Sequence, residues 1–354
     1  MDGTTRSHME LTFSIIIPTF NRCAALERTL NSLIKIDKQG KNYEVLIVNN
    51  GSTDGTSMMV ERFRSAVSQL PYRFLSEPMP GLLSARHRGA IESAGNICVF
   101  IDDDVRLDPE WLNALQEAFQ DPSIVLAGGP SRPLFEVPPP LWLKAFQSVE
   151  AAGSLCVPLS LFDGGDNVKE IDPIYIFGLN FAIRRETLFA QCGFHPDSLP
   201  GPLQRYQGDG ETGLSLKIKR SGLKALYHPK ASVHHEVPAS RLTEAYFTRR
   251  AFFQGVCDSY TRIRADGRIF LERSPWRRVL SRTKDIISRW LPAKRACDCV
   301  TMAAKAYRRG FEFHQSEVRK DLNLVNWVLR PDYWDYQLPA GWEKYLAATN
   351  GATS

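Results

Sequence analysis

Short apolar runs alternate with amphipathic stretches over the first 130 residues of the chain. The runs are rich in Ile, Val and Phe, which is typical of strands buried on both faces of a parallel sheet. The predicted strands cover residues 13–17, 43–48, 72–75, 97–101 and 123–127. Helices are expected between them, over residues 24–36, around 58–63, over 81–94 and over 109–119. Strands that alternate with helices through short loops predict an α/β fold, with a mostly parallel sheet flanked by helices on both faces.

The fourth run ends abruptly in three carboxylates, Asp102, Asp103 and Asp104. Because an unpaired charge is costly to bury, we expect these side chains at the carboxyl edge of the sheet, where open α/β folds bind their ligands. Two carboxylates spaced Asp-x-Asp on an extended turn can both face one hard divalent cation and its phosphate-bearing ligand. The alternative interpretation is a solvated acidic turn that caps the next helix.

Polar turns also follow the first two predicted strands, at residues 18–22 and 49–54. Parallel strands bring these turns and the acidic one to a single crevice, and such a crevice suits a nucleotide. Backbone N–H groups and Asn or Ser side chains would hold the base and ribose, and a cation would hold the diphosphate. The first strand is followed by neither Gly-x-Gly-x-x-Gly nor a Gly-Lys-Ser/Thr loop, so neither a dinucleotide fold nor a P-loop NTPase is indicated.

The pattern is less regular beyond residue 130. Residues 130–175 contain three consecutive prolines and a Gly-Gly pair, which predicts a variable loop region with one short helix near residues 142–149. Further strands are predicted over residues 175–184 and near 224–227, followed by the run Val233-His234-His235-Glu236-Val237-Pro238. Helices are predicted from residue 214 and over residues 241–260.

The composition is that of an ordinary globular protein, with 43% hydrophobic and 23% charged residues in 354. No apolar run approaches the roughly 18 to 20 residues that a membrane-spanning helix needs. Residues 1–10 are polar and patternless, and we expect a leader or tag there. The seven cysteines are an odd number and mostly scattered, which favours a reducing, cytoplasmic setting over a disulfide scaffold.

The net charge of +5 is unevenly distributed. Residues 241–330 contain 20 Lys and Arg against nine Asp and Glu, so the rest of the chain has a net charge of −6. Residues 276–291 have the pattern of a basic amphipathic helix, which leaves two roles open: peripheral contact with an anionic membrane, or packing of the apolar stripe against a helix at 302–313. No nucleic-acid-binding motif accompanies the charge, so no nucleic acid partner is expected.

Six short motifs follow one another along the chain: Pro18-Thr19-Phe20-Asn21-Arg22, Asn49-Asn50-Gly51-Ser52-Thr53-Asp54-Gly55-Thr56, Ala85-Arg86-His87-Arg88-Gly89, Phe100-Ile101-Asp102-Asp103-Asp104, Gly178-Leu179-Asn180 and Asp209-Gly210-Glu211. Together they resemble the family 2 glycosyltransferases, which have the GT-A fold. The resemblance covers about residues 12–255. It implies a GT-A domain over residues 11–255, followed by a helical basic region over residues 256–354.

This resemblance implies a sugar transfer, with inversion, from a nucleotide-sugar donor to a hydroxyl acceptor. A UDP-sugar is the expected donor, and the acceptor would be a glycan, a lipid-linked sugar or a small molecule in polysaccharide or glycoconjugate synthesis. The implied cofactor is Mn²⁺ or Mg²⁺ on the donor diphosphate, held by Asp102 and Asp104, with His235 as a third contact. The implied nucleotide-sugar contacts are Pro18, Thr19, Asn21, Arg22, Asn49, Asn50, Ser52, Arg86, Asp102, Asp103 and Asn180.

Several of these residues also have a plain structural interpretation. Asn49 stands where the family generally carries an aspartate, so it keeps an acceptor but loses the charge. The residues after the first strand would otherwise form an ordinary strand-to-helix turn, and Arg86 would be a surface cation on its helix. His235 would be a structural histidine, and Asn180 a polar residue at the end of a strand.

Inverting transfer also needs a carboxylate to take the proton of the acceptor hydroxyl. The usual family motif is Glu-Asp before a helix, and here the aligned residues are Gly210 and Glu211. Glu211 is therefore the expected base, with Asp209 as the second choice. Either residue is alternatively an acid favoured by the helix dipole at the start of the helix.

Two other functions stay open at this point. A nucleotidyltransferase would normally have a glycine-rich, Lys- or Arg-bearing loop after the first strand, which Pro-Thr-Phe-Asn-Arg does not match. A catalytically silent scaffold that binds a nucleotide-sugar stays open because of Asn49 and the altered Asp-Gly-Glu motif. The expected location is the cytoplasm, either free or attached peripherally to the inner face of the membrane.

Overall fold

The predicted strands of the first 130 residues form the centre of a large mixed sheet. The computed structural model describes residues 10–37, 40–66, 70–267 and 298–345. Its strands are β1 Thr12–Thr19, β2 Asn42–Asn49, β3 Tyr72–Ser76, β4 Ile97–Ile101, β5 Val105–Leu107, β6 Ile124–Gly128, β7 Ser131–Phe135, β8 Ser148–Glu150, β9 Gly153–Cys156, β10 Leu161–Asp163, β11 Lys169–Ile171, β12 Asn180–Arg184, β13 Lys224–Tyr227 and β14 Val233–Val237. Its α-helices are α1 Cys23–Leu33, α2 Thr56–Ala66, α3 Leu82–Glu92, α4 Trp111–Gln120, α5 Arg185–Ala190, α6 Gly210–Arg220, α7 Glu244–Asp266, α8 Asp298–Lys320 and α9 Leu322–Leu329.

Eight strands form the main sheet, in the order β11-β13-β6-β12-β4-β1-β2-β3. β12 runs antiparallel to both β4 and β6, and β11 runs antiparallel to β13. The other pairs in the sheet are parallel, so six strands share one direction. The prediction of a mostly parallel α/β sheet is therefore confirmed.

Both faces of this sheet are covered, because alternate residues of a strand face opposite sides. In β1, Ile15 and Ile17 belong to a core with side chains of α1, α2 and α4. Ile16 belongs to the other core, with side chains of α3, α5 and α6. All five residues of β4 are fully buried, so charged side chains can be accommodated only beyond the end of this strand.

A second sheet lies where the sequence predicts a variable loop. Its six strands have the order β5-β14-β7-β10-β9-β8, and most of its pairs are antiparallel. The short helix predicted near residues 142–149 is a 3₁₀ helix at Leu141–Phe146. The expectation of loops over residues 130–175 is thus wrong, because strands of three to five residues that pair over long distances leave little periodicity in the sequence.

The carboxyl-terminal helices share a core with the sheet. Tyr260 of α7, Trp327 of α9 and Tyr333 belong to the same buried cluster as Ile16 of β1. α7 and α8 approach closely at Gly255 and Gly310, since a Cβ at Gly310 would lie 1.9 Å from the carbonyl oxygen of Phe252. α7 spans residues 255 and 256, where the domain boundary is predicted. The division into two domains at this point stays a prediction.

Some predictions fall on residues outside the described ranges. The leader at residues 1–10, apart from residue 10, and the basic amphipathic stretch at 276–291 are among them. Within the described ranges, no helix is both long and apolar enough to cross a membrane. Five described cysteines (Cys23, Cys98, Cys156, Cys192 and Cys257) have free thiols, and Cys299 is in a disulfide.

Candidate functional site

The carboxyl ends of β1, β2 and β4 meet at one edge of the main sheet, because these strands are parallel neighbours. A cavity of about 530 Å³ opens there, and we call it the edge cavity. Nine of the predicted site residues line it: Pro18, Thr19, Arg22, Asn50, Arg86, Asp102, Asp103, Glu211 and His235. The structure thus brings together residues of β1, α3, α6 and β14 and of the turns that follow β1, β2 and β4.

Arg86 of α3 lies at the centre of this group and is only 3% exposed. Its Nη2 is 3.6 Å from Asp102 Oδ1, and its Nη1 donates to Glu211 Oε2 at 3.2 Å. The guanidinium also lies 5.2 Å from the ring centroid of Phe194. A Cβ at Gly178 would approach Arg86 Nη2 to 2.4 Å, so glycine at this position leaves room for the ion pair.

Asp103 and Asp104 are buried and paired with arginines. Asp103 accepts from Thr19 Oγ1 at 2.7 Å and from Arg22 Nη1 at 2.8 Å, yet burial raises its pKa to about 6. Asp104 Oδ2 accepts from Arg22 Nη1 and from Arg241 Nη2, both at 2.7 Å. Burial opposes the ionisation of Asp104, but its cationic neighbours outweigh burial and hold its pKa below the ordinary value. Asp104 is therefore a carboxylate in the folded chain.

His235 of β14 is oriented by a backbone carbonyl. Its Nδ1 donates to the carbonyl oxygen of Leu159 at 2.9 Å, and Arg241 Nη1 lies 2.7 Å from its Nε2. Because a guanidinium can only donate, Nε2 must accept, with its lone pair directed at Arg241. Nε2 also lies 3.5 Å from Oδ2 of Asp104, which is not among the residues that line the edge cavity. A carbonyl on one ring nitrogen and a lone pair on the other is the arrangement that metal-ligating histidines have.

Asp102, Asp104 and His235 could supply some of the ligands of a divalent cation, but not a complete set. Asp104 Oδ1 is buried and has no hydrogen-bond partner, and the Asp102 side chain is 33% exposed. No group of three or more His, Cys, Asp or Glu side chains in the described ranges forms a complete metal cage. Mg²⁺ and Mn²⁺ do not require one in nucleotide sites, where one or two carboxylates share the ion with phosphates and water. The oxygen and nitrogen donors present therefore suit an ion that arrives with a diphosphate.

Glu211 lies in the first turn of α6 and faces the edge cavity. Its Oε1 accepts from the backbone N–H of Gly178 at 3.1 Å, and its Oε2 accepts from Arg86. Burial raises its pKa, but Arg86 and these hydrogen bonds outweigh burial, so the pKa lies below its ordinary value. The preceding Gly210 has a φ of +55°, a conformation that favours glycine over the glutamate of the usual motif.

Asp209 is directed away from the edge cavity. Its Oδ1 lies 2.6 Å from His195 Nδ1, and its Oδ2 accepts from Thr261 Oγ1 at 2.6 Å. Burial opposes ionisation of both groups, so the pKa of His195 is lowered, while His195 and Thr261 hold the pKa of Asp209 below its ordinary value. A neutral His195 donating to an ionised Asp209 satisfies both shifts. The geometry therefore favours Glu211 over Asp209 as a base.

The predicted polar residues after β1 and β2 mainly bond to one another. The backbone N–H of Asn21, at φ 52°, donates to Ser52 Oγ, and its Oδ1 accepts from the N–H of Thr53 at 2.7 Å. Asn49 Oδ1 accepts from the N–H of Ser52 at 2.9 Å. Asn50 Nδ2 donates to the carbonyl of Met79, which ties this turn to the segment before α3. Asn21, Asn49 and Ser52 do not line the edge cavity, and they shape the loop beside it.

Asn180 is also outside the lining of the edge cavity. It is 3% exposed at the start of β12, its Oδ1 accepts from Trp111 Nε1 at 2.9 Å, and its Nδ2 donates to the carbonyl of Ala231 at 2.7 Å. These bonds join α4 to the segment before β14. The sequence pattern places Asn180 in a strand but contains no signal for its partners.

Two residues of the site were missed at the level of sequence. Arg241 follows β14 and bonds to both Asp104 and His235, but only its charge is visible in the sequence. Asp197 lines the edge cavity, and a Cβ at Gly210 would lie 2.9 Å from its Oδ2. Its one signal is an acidic residue in a polar loop, the type of segment that commonly carries function.

Comparisons with known proteins show which family and which fold the chain resembles. Residues 14–188 match the family model described as glycosyl transferase family 2. Glycosyltransferase AglE of Haloferax volcanii is 31% identical over 116 residues, which are 33% of this chain and 38% of that protein. Validoxylamine A glucosyltransferase of Streptomyces hygroscopicus subsp. jinggangensis is 32% identical over 123 residues, 35% of this chain and 28% of that protein. The chain thus matches well under half the length of either relative.

Solved structures share the architecture at low sequence identity. A mannosyltransferase from Pyrobaculum calidifontis, solved with GDP-Man and Mn²⁺, has a TM-score of 0.55 at 18% identity and covers 93% of this chain and 89% of its own. GalNAc-T7, solved with UDP, GalNAc and Mn²⁺, has a TM-score of 0.50 at 17% identity, and the match covers 89% of this chain and 57% of that protein's chain. These likenesses show the fold, which is of the GT-A type predicted from the motifs.

Substitution of the two acids of the Asp-Gly-Glu motif should separate their roles by stability. We expect Asp209→Asn to lower the free energy of unfolding by about 2–3 kcal/mol at pH 7, because it weakens two buried hydrogen bonds to a charged group. The effect should shrink as the pH falls below about 4, where the unfolded-state carboxyl protonates and the advantage of the lowered pKa is lost. Glu211→Gln should cost less than Asp209→Asn, since the amide keeps an acceptor for Gly178 and Asp102 still pairs with Arg86. Chemical denaturation of both variants is the measurement, and equal losses would contradict the assignment.

Proposed function

This chain belongs to the family 2 glycosyltransferases, and from that premise we propose that it transfers a sugar from a nucleotide-sugar to a hydroxyl acceptor with inversion. The observation that carries the proposal is that Asp102 and an ionised Glu211 face one cavity with Arg86 between them. One carboxylate would serve the leaving diphosphate, and the other would serve the attacking hydroxyl. Expected substrates remain a UDP-sugar and an acceptor in polysaccharide or glycoconjugate synthesis.

On the donor side, the edge of the sheet offers both charge and shape. Thr19, Asn50 and Phe20 line the end of the cavity nearest β1 and β2, where a nucleoside would lie. Arg22 and Arg241 line the edge cavity, and both donate to Asp104. A diphosphate bound in this cavity would therefore lie within reach of both side chains. Their guanidinium groups would bind the diphosphate by charge-assisted hydrogen bonds.

A divalent ion, Mn²⁺ or Mg²⁺, would be held by Asp104 Oδ1 and Asp102, with His235 Nε2 as a further ligand. When bound, such an ion neutralises charge that develops on the departing nucleoside diphosphate. Arg241 would then exchange its bond to His235 for one to a phosphate oxygen. Metal dependence thus belongs to the proposal and rests on the free buried oxygen of Asp104.

Glu211 would carry the proton transfer. The acceptor oxygen forms a bond to the anomeric carbon while its proton moves to a Glu211 oxygen. The bond from that carbon to the diphosphate oxygen breaks on the opposite face, and its electron pair leaves with the nucleoside diphosphate. Arg86 keeps Glu211 ionised before the reaction, and Gly178 fixes its orientation through the backbone N–H.

Turnover is the first test of this proposal. Release of nucleoside diphosphate from a panel of UDP- and GDP-sugars with Mn²⁺ should fall by about 10²–10⁴-fold in Glu211→Gln, because a general base contributes that much. Glu186→Gln, at an exposed acid in the first turn of α5, is the matched control and should retain full turnover. Wild-type release from no donor, with nucleotide still bound, would instead support the silent scaffold.

The pH profile tests the role of Arg86. The acid limb of kcat/KM should lie below pH 4.5 in the wild type, since the pKa of Glu211 is held below that ordinary value. In Arg86→Gln only the backbone hydrogen bonds to Glu211 still oppose burial, so the limb should move to a higher pH, whereas Arg86→Lys keeps a cation and should shift it less. An acid limb at the same pH in all three proteins would show that Glu211 is not the group that titrates.

A further inference from the structure

A second cavity adjoins the edge cavity on the far side of Glu211. It has a volume of about 490 Å³ and lies between α7 and the segment of residues 197–207, and we call it the α7 cavity. Asp197, Glu211 and Arg250 line both cavities. A molecule in the α7 cavity would therefore contact Glu211 without contacting Thr19 or Asn50, which line only the edge cavity.

The lining of the α7 cavity is polar, with side chains that suit hydroxyl groups. Gln204, Gln207 and Gln254 contribute amides, and Phe253 contributes a partly buried ring. Amides and carboxylates bond to hydroxyls in both directions, and an aromatic ring packs against the C–H face of a sugar. A long apolar chain would find few partners in this lining.

The charges in this cavity disfavour an anionic ligand. Four carboxylates line it (Asp197, Asp209, Glu211 and Asp258), against the two guanidinium groups of Arg249 and Arg250. A phosphate or carboxylate bound beside Glu211 would meet like charge in a partly desolvated site, which is unfavourable. Arg250 Nε is buried without a hydrogen-bond partner and can donate to a neutral oxygen as well as to an anion.

Among the four carboxylates of this cavity, Asp197 has an oxygen that accepts no hydrogen bond from the described part of the chain. Its Oδ1 accepts from the N–H of Ser198 at 2.7 Å and from Gln207 Nε2 at 2.8 Å, which fixes the side chain. Within the described part of the chain, no hydrogen bond to Oδ2 is made. By contrast, Asp209 bonds to His195 and Thr261, and Asp258 bonds to Tyr307 and Gln254.

We propose that the α7 cavity binds an uncharged carbohydrate acceptor, and that Asp197 Oδ2 accepts a hydrogen bond from a hydroxyl next to the one that Glu211 deprotonates. This inference rests on the proposed function and adds the acceptor class to it. Asp197 and Glu211 would then each bind one of two neighbouring hydroxyl groups. Asp197 is accordingly a specificity-determining residue, and it has no part in the proton transfer.

Direct binding tests the proposal without turnover. Saturation-transfer NMR on the full chain, with UDP or GDP and diamagnetic Mg²⁺ present, would use methyl glycosides of glucose, galactose, mannose and N-acetylglucosamine as neutral probes. Methyl glucuronide and glycerol 3-phosphate are the anionic probes. We expect transfer to at least one neutral glycoside and weaker transfer to both anions. Stronger transfer to either anion, or transfer to no neutral glycoside, would overturn the proposal.

Two variants locate the binding. Asp197→Asn should weaken binding of the neutral glycoside about tenfold, because the amide oxygen must stay on the N–H of Ser198 and a donor then replaces the accepting Oδ2. Thr212→Trp places a ring in the cavity from an exposed position at the start of α6, so it should block the glycoside even if Asp197→Asn folds poorly. Asp166→Asn, at an exposed acid outside both cavities, is the matched control. Unchanged binding in both cavity variants would overturn the proposal.

Nucleotide signals in the same samples separate this inference from the proposed function. Transfer to UDP or GDP without transfer to any neutral glycoside would overturn the acceptor class alone. Absence of transfer to both nucleotides and glycosides in the wild type would overturn the proposed function together with it.

Discussion

The site depends on one buried cation, the guanidinium group of Arg86, which lies between two carboxylates that serve different ends of the cavity. A buried guanidinium requires compensating charge, and Asp102 and Glu211 provide it. The same pairing holds Glu211 ionised, although burial alone would favour its protonated form. Glycine at position 178 is part of this constraint, because a side chain there would displace both Arg86 and Glu211. The two ends of the edge cavity, which we propose bind the donor and the acceptor, are thus coupled through a single side chain.

The acidic turn after β4 illustrates how strongly a strand end constrains its neighbours. Three carboxylates follow five buried apolar residues, and each has a guanidinium within 4 Å: Arg86 at Asp102, Arg22 at Asp103, and Arg22 with Arg241 at Asp104. The arginines come from α3, from the turn after β1 and from the segment after β14. This arrangement balances the charge of the folded chain while leaving Asp104 Oδ1 without a hydrogen bond. In the proposed function this buried oxygen is a ligand of the ion that arrives with the diphosphate.

Much of the fold and part of the site follow from local sequence. The strands that build the edge of the sheet are apolar, β-branched runs buried on both faces, so their pattern is strong and their polar ends are visible. The same reasoning brings Thr19, Asp102 and Asp103 to one cavity. The second sheet could not be predicted, because its short strands are fixed by pairing with distant segments. Asn180 shows the same limit, since its amide bonds to Trp111 and Ala231 are set by tertiary packing. Asp209 and Glu211 are only two residues apart and both line the α7 cavity, but the start of α6 directs only Glu211 into the edge cavity.

The most direct measurement is a crystal structure of the chain with Mn²⁺ and an unreactive analogue of a nucleotide-sugar donor. If Arg86 separates the two ends of the site, the anomalous signal of Mn²⁺ should lie between the Asp102 and Asp104 carboxylates and the diphosphate, and the sugar should point toward Glu211. A manganese ion bound against Glu211 and Asp197, or a sugar directed away from Glu211, would contradict the assignment of these two carboxylates.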